Sequence, residues 1–478
     1  MIKKILIPLL LVVLMLGLCS CSDPIITPTE GGTPTPAPSE AFEAKYMKPG
    51  DTYKLFYYYL AEDCGLEGVF TSATARDQLS LELGKRMQTE FGIQIKFLTQ
   101  TGSWFTDYCN SAAAGEPMAD MMFAGGPHLM MEHYMWNGIP GSAIISLSDY
   151  DYVYKFDDDE YWDTSAQEQM CTYNGELYYF VTRLIGESMV NLNQFTFYNK
   201  RLLSDAGYSA ETLVQTAKEG NWTWDYFEQV ALAVNDPDKD VYALITAQEN
   251  SLAYNLMASN GGDFVKTETV DGEQVDRFAG WQNESIEAWD FFLDLAKQGL
   301  VRPNSMGNEI NLFLNGKTAM MMTYLNRADT FYEVVEDDDF FGILPIPKAP
   351  GAESYVCTQN WFMPYCVFNN IENPEGTVEF CSIFFRPPYA MSSQESIMLM
   401  QAELSTRLRD QASVDFAIES LDYVYPSKMM LYNRTTAQYM WGATDSFLSG
   451  ETTPAIYYAS VRDAYNNEID KYRVNVDN

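Results

Sequence analysis

A short, nearly continuous apolar run, Lys54-Leu-Phe-Tyr-Tyr-Tyr-Leu60, opens the folded part of the chain and reads as a strand. Leu79, Leu83, Met87 and Phe91 then recur every four residues, the spacing of one helical face, over Ala73–Phe91. Gly92 stops that helix, and Ile93–Leu98 alternates as a strand. A short helix near Trp104–Ala114 leads into Gly115-Glu-Pro-Met-Ala-Asp120-Met-Met-Phe-Ala124, a buried strand that ends at Gly125-Gly126-Pro127. Strand, helix, strand, helix, strand predicts a parallel sheet with right-handed crossovers.

The same patterning continues downstream. Thr172–Phe180 reads as a strand pair about Asn174-Gly175. Thr223 can cap a helix over Trp224–Val234, with Asp225 favourably placed in its first turn. Phe278–Leu300 reads as helical, with Ile286, Trp289, Leu293 and Ala296 near one face, Asn283 as a cap and Gly299 as a stop. In Asn311–Tyr324 a helix ends, Asn315-Gly316 turns, and Ala319–Met322 forms an apolar strand. Thr323, Tyr324, Asn326 and Arg327 stand where that strand runs out, the place where open α/β sheets put ligands. Asn373-Pro374-Glu375 opens a helix through Phe385, Met391–Tyr425 reads as helical, and Thr453-Pro454 opens a terminal helix through Tyr472.

The first residues change the picture. Met1-Ile-Lys-Lys and the apolar run Ile5–Leu18 have the form of a signal peptide, shorter than the roughly 20 residues of a membrane-spanning helix. Leu18-Cys-Ser-Cys21 fits a lipobox, so residues 1–20 are expected to be removed and Cys21 lipidated, an anchor to a membrane face. Residues 21–45, rich in Pro, Thr, Ser and Gly, cannot build a core and read as a disordered tether. The remaining length suffices for two large domains or three small ones.

A net charge of −36 argues against nucleic acid and disfavours strongly anionic ligands. Cys64, Cys109, Cys171, Cys357, Cys366 and Cys381 contain no C-x-x-C pair and read mainly as small buried hydrophobes, with one disulfide open to an exported protein. His128 and His133 make a poor zinc site, and no metal or cofactor is expected. The acidic runs Asp157–Glu160 and Glu336–Asp339 could supply paired carboxylates for glycoside hydrolysis, but that requires burial, and such runs are usually solvated turns. No G-x-S-x-G elbow or phosphate loop accompanies them. A pocket with aromatic walls and a few polar groups accounts better for nine Trp and 32 Tyr, because an aromatic face stacks on the C–H face of a sugar.

Several blocks resemble one family in consistent order. They include Phe313-x-x-Gly-Lys-x-Ala-Met320, Phe197-Tyr-Asn-Lys-Arg-Leu-Leu203, Asn221-Trp-Thr-Trp-Asp225, Asn260-Gly-Gly-Asp263 and Phe340-Phe-Gly-Ile-Leu-Pro345. Over roughly residues 50–470 the chain is similar to extracellular solute-binding proteins of ABC importers, the sugar-binding group that includes maltose-binding protein. Where that group carries a Trp after the Ala-Met pair, this chain has Tyr324-Leu-Asn326.

The resemblance implies a periplasmic-binding-protein-like α/β fold of two lobes joined by a multi-strand hinge, with the ligand in the cleft between them. Residues 46–183 and 367–425 are expected to form lobe 1, and 184–366 with 426–478 lobe 2, with crossovers near 181–190, 360–368 and 420–426. Candidate stacking residues are Trp104, Tyr324, Trp361 and Trp441; Tyr57–Tyr59 end the first strand, and at least one of them, with Tyr58 as the candidate, is expected to face the cleft, although alternation does not say which. Polar candidates are the backbone of Gly125 and Gly126, Arg183, Glu187, Asn326, Gln359 and Asn360. The expected partners are a small-molecule ligand, a sugar before a peptide or another polar molecule, a membrane reached through the lipid, and an ABC permease that reads lobe closure by a monomer outside the cytoplasm. An exported carbohydrate hydrolase, and a sensing or scaffolding module without transport, are the alternatives.

Overall fold

The computed structural model describes residues 44–57, 60, 62–70, 75–99, 110–111, 114–123, 144–159, 161–173, 175–182, 193–245, 251–270, 272–302, 307–335, 339–359, 364–386, 393–429, 432, 439 and 442–474. In chain order the strands begin with β1 (Thr52–Tyr57), β2 (Gln94–Leu98) and β3 (Met121–Phe123), then a short hairpin, β4 (Thr172–Tyr173) and β5 (Glu176–Leu177). Next come β6 (Gln194–Asn199), β7 (Tyr242–Ile245), a second hairpin of β8 (Val265–Val270) and β9 (Glu273–Phe278), and β10 (Val301–Arg302). The last are β11 (Thr318–Tyr324), β12 (Phe341–Leu344), β13 (Cys357–Gln359), β14 (Tyr365–Val367) and β15 (Val424–Pro426).

The first sheet has the order β14-β3-β1-β2. β1 runs parallel to both β2 and β3, as the alternation of strand and helix predicts, and β14 returns antiparallel on β3. The helix Ala75–Phe91 buries Leu79, Leu83 and Met87 beside it. Aromatic rings fill much of this lobe: Phe180 stacks on Tyr365 at 5.3 Å and on Phe156 at 4.7 Å. The chain enters by lying on the helix Pro374–Phe384, where the backbone N–H groups of Lys45, Tyr46 and Met47 all donate to the Glu379 carboxylate.

The second sheet has the order β10-β7-β11-β6-β12, with β6 antiparallel to both β11 and β12. Helices cover both of its faces. On one, Tyr198, Met320 and Met322 join the core of the helices Trp224–Val234, Ser251–Ser259 and Asn283–Lys297. On the other, Phe195, Phe197 and Met321 pack with Phe313, Phe331, Leu404 and Val414.

Local signals explain many boundaries. Thr223 caps its helix, accepting from Tyr226 N at 3.4 Å. Trp222 and Trp224 are buried, donating to Pro345 O and Ser259 Oγ, each at 3.0 Å. Asn199 caps Lys200–Asp205 through Leu202 N at 3.0 Å. Gly316 takes φ +64° between the helix Glu309–Leu314 and β11, a backbone that a side chain would strain.

Three expectations change. The helix expected over Phe278–Leu300 spans Asn283–Lys297, because Glu273–Phe278 pairs as β9 with β8; Gln282, without a side-chain bond, is its N-cap rather than Asn283. Met391–Tyr425 is not one helix. Arg409 at φ +58° ends Ser393–Leu408, Asp410 caps Gln411–Glu419 through Ser413 N at 2.8 Å, and β15 follows. Those two helices, expected with lobe 1, pack on the second sheet: Leu404, Leu408, Val414 and Ala417 share the core of Phe197 and Ile343.

Phe197 is central to that core, so Phe197→Ala is expected to cost about 3–5 kcal/mol of stability in urea unfolding. Thr223→Ala, which removes only a cap, should cost about 1 kcal/mol. Equal losses for the two variants would contradict this description of the core.

Candidate functional site

Of the residues singled out on the sequence, Tyr324 and Asn326 are described, and Gln359 ends strand β13; Tyr58, Trp104, Gly125, Gly126, Arg183, Glu187, Asn360, Trp361, Trp441 and the lipidation candidate Cys21 lie outside the described residues. Tyr57 is buried between Phe97 and Phe123, at 5.1 and 5.3 Å between ring centroids, and belongs to the core. Tyr324 closes β11 and is partly exposed, as expected of a residue at a strand end. Asn326 follows it at the start of the helix Arg327–Val334, without a side-chain capping bond.

Antiparallel register sets Tyr324 directly across from Gln194, the first residue of β6. Directly opposed residues share a face of the sheet, so both turn toward the helix Ser251–Ser259, whose nine residues are all buried. There Asn255 Nδ2 donates to Gln194 Oε1 at 2.7 Å, and the Thr358 hydroxyl bonds Asn255 Oδ1. Ser251 Oγ donates to Met322 O at 2.8 Å. This end of the sheet is therefore floored by neutral amides and hydroxyls, all buried.

Further buried polar bonds fix the strands that leave toward the first lobe. Asn193 Nδ2 donates to Ser420 Oγ at 2.8 Å. β13 and β15 pair in parallel. Tyr425 Oη and Ser427 Oγ each donate to the Asp263 carboxylate at 2.9 Å. Burial pushes the Asp263 pKa up to about 6, opposed by those two hydroxyls and by the N–H groups of Phe264 and Val265. Burial likewise pushes the Cys357 thiol up to about 12. Cys171, Cys357, Cys366 and Cys381 are free and buried, and Cys64 is free and partly exposed.

A cavity of 270 Å³ has Asp159, Asp163, Thr164, Asn193 and Asp422 among its walls. Asp157, Asp158 and Asp159 are exposed, consistent with a solvated turn. Asp263, the deeply buried carboxylate, is enclosed by protein donors, which suits a strut better than a general acid. Among the described residues no group of three His, Cys, Asp or Glu could hold a metal ion.

The family model for bacterial extracellular solute-binding proteins matches residues 82–393, more than half of the chain. The chain belongs to that family. Solved structures share the fold of this solute-binding protein. An ABC substrate-binding protein from Listeria monocytogenes, in complex with cycloalternan, has a TM-score of 0.58 at 19% identity, over 88% of this chain and 99% of its own. The GacH receptor of Streptomyces glaucescens, studied unliganded and with acarbose, has a TM-score of 0.59 at 16% identity, over 88% and 99%. The sugar-binding protein MalE from Xanthomonas citri has a TM-score of 0.61 at 15% identity, over 88% and 98%. The fold is thus periplasmic-binding-protein-like. A search of the curated proteins finds no match. The family is extracellular, which places the chain outside the cytoplasm. Among the described residues no helix is long and apolar enough to cross a membrane.

Gln194, Asn255 and Thr358 escape the sequence reading, and so does the strut Asp263. Its folded pKa of about 6 lies above that of a free carboxyl, about 3.9. Asp263 therefore favours the fold most below pH 4 and progressively less as pH rises through 6. Relative to Asp263→Asn, which cannot ionise, the wild type should gain about 2 kcal/mol in urea unfolding between pH 7.5 and pH 4.5. A difference independent of pH would contradict the assignment.

Proposed function

We propose that this solute-binding protein captures a neutral carbohydrate, mono- or oligosaccharide, in a cleft between its lobes and delivers it to an ABC permease. The observation that carries the reading is the strand end of the second sheet. The partly exposed ring of Tyr324 stands there over a floor of uncharged amides and hydroxyls, Gln194, Asn255 and Thr358. An aromatic face with aimed neutral polar groups suits a sugar, and the acidic chain disfavours anions. The Listeria and Streptomyces proteins of the same fold were solved with cycloalternan and with acarbose, which supports the ligand class.

The other wall of the cleft is assigned to Tyr58, Trp104, Gly125, Gly126, Arg183 and Glu187, with Asn360, Trp361 and Trp441 completing the site. Lobe 1 comprises residues 44–182 and 365–386, and lobe 2 comprises 193–359 with 393–474. Contacts made from both lobes exist only when they close, so the ligand draws the population toward the closed form. The protein acts as a monomer held to the membrane through lipidated Cys21 and the tether, without catalysis or cofactor.

A panel of neutral mono- and oligosaccharides should contain at least one that raises the melting temperature, by about 2.7 kcal/mol of stabilisation at a hundredfold excess over Kd, and that is recovered intact. Release of reducing sugar would favour the hydrolase, and binding without uptake loss in a deletion strain would favour the sensor. Cys21→Ala should move the protein from the membrane fraction to the soluble one; unchanged membrane association would refute the anchor.

A further inference from the structure

Tyr425, on strand β15, is partly exposed although its polar partners are closed to solvent. Its hydroxyl donates to Asp263 Oδ2 at 2.9 Å, and Ser427 Oγ reaches both oxygens of that carboxylate, each at 2.9 Å. Burial and the charge of Asp263 push the Tyr425 pKa up, so the phenol stays protonated and its one proton is committed to the carboxylate. What Tyr425 can still offer is its ring.

That ring belongs with Tyr324. β15 pairs in parallel with β13, which places Tyr425 directly beside Thr358, and residues in register carry their side chains on one face. The Thr358 hydroxyl bonds Asn255 Oδ1, Asn255 Nδ2 donates to Gln194 Oε1 at 2.7 Å, and Gln194 lies across from Tyr324. β13 touches β6 at the same point, where Cys357 Sγ donates to Gln194 O at 3.5 Å. The two rings thus flank one row of neutral polar groups laid on the helix Ser251–Ser259. Tyr254 of that helix senses both: burial pushes its pKa up, and Asp263, Tyr425 and Tyr324 push the same way. Gln194, Asn255, Thr358, Tyr254 and Asp263 are all buried, whereas Tyr324 and Tyr425 keep open surface.

We propose that Tyr425 is a second aromatic wall of the ligand site marked by Tyr324, and that Asp263 is its positioning residue. Tied by its hydroxyl to the carboxylate, Tyr425 presents a fixed ring to the apolar C–H face of a sugar, with little side-chain freedom left to lose on binding. This inference rests on the sugar-binding reading above and extends the site from β11 to β15.

Calorimetric titration with the saccharide giving the largest thermal shift is the first arm. Tyr425→Phe and Tyr425→Leu both remove the bond to Asp263, and Phe alone keeps a ring. The Leu variant should bind about 3- to 10-fold more weakly than the Phe variant, at similar ligand-free melting temperatures. In NMR, the upfield shifts that aromatic rings impose on the bound sugar's C–H protons should be smaller for Tyr425→Leu than for Tyr425→Phe. The second arm uses Asp263→Asn. Phe264 N donates to Asp263 Oδ1 at 2.6 Å, so an amide would keep its oxygen there and turn its NH2 against the Tyr425 hydroxyl. Asp263→Asn should weaken the sugar about threefold or more and reduce those upfield shifts, and do neither in the Tyr425→Leu background.

Equal affinities and equal sugar shifts for Tyr425→Phe and Tyr425→Leu would overturn the aromatic wall. An equal effect of Asp263→Asn in both backgrounds would overturn the positioning role. Should Asp263→Asn fail to fold, Asp263→Glu, which displaces the carboxylate by one methylene, is measured in the same two backgrounds by the same criterion. A wild type that binds no saccharide overturns both this inference and the reading beneath it, whereas binding that does not distinguish Phe from Leu at Tyr425 overturns this one only.

Discussion

The antiparallel pairing of β6 with β11 is the constraint on which the second lobe depends. It is the place where the sheet changes from parallel to antiparallel order, and its register decides what each face carries. In this register Phe195, Phe197 and Met321 line one core, while Thr196, Tyr198, Met320 and Met322 line the other. A slip of one residue would exchange the two faces. It would put Gln194 and Tyr324 into the apolar core beside Phe331 and away from Asn255. Site and fold therefore rest on the same set of backbone bonds.

The strands that lead out of this lobe are held by buried polar side chains. Asn193 bonds Ser420, Asn255 bonds Thr358, and Asp263 takes the hydroxyls of Tyr425 and Ser427. Close to the first lobe the corresponding contacts are stacked rings, Phe156 on Phe180 on Tyr365. Directional bonds at one end and ring stacks at the other make each lobe a stiff unit, since packed interiors resist continuous deformation.

Much of this was legible in the sequence where one local cause dominates. The fourfold spacing of Leu79, Leu83 and Met87, the Thr223 cap and the Asn315-Gly316 turn each act within a few residues, and each appears as read. Arg409 was not legible: nothing local forces an Arg to φ +58°, and the break there depends on Asp410 capping the next helix. The floor of the site was hidden for a related reason. Gln194-Phe-Thr-Phe alternates like a strand with one wet face, yet helices cover both sides and Gln194 and Thr196 are buried. Whether a polar residue in an alternating strand meets water or another amide is decided by the residue that packs over it, here Asn255, some sixty positions away. The family blocks in turn named the fold but gave no sign of the buried amides at this strand end.

Small-angle scattering of the purified protein with and without a saturating saccharide tests the account most directly. Two lobes that close on a sugar predict a contracted radius of gyration in the bound state, returning to the free value when the sugar is dialysed away. A saccharide that binds tightly by calorimetry and leaves the scattering curve unchanged would contradict capture by closure.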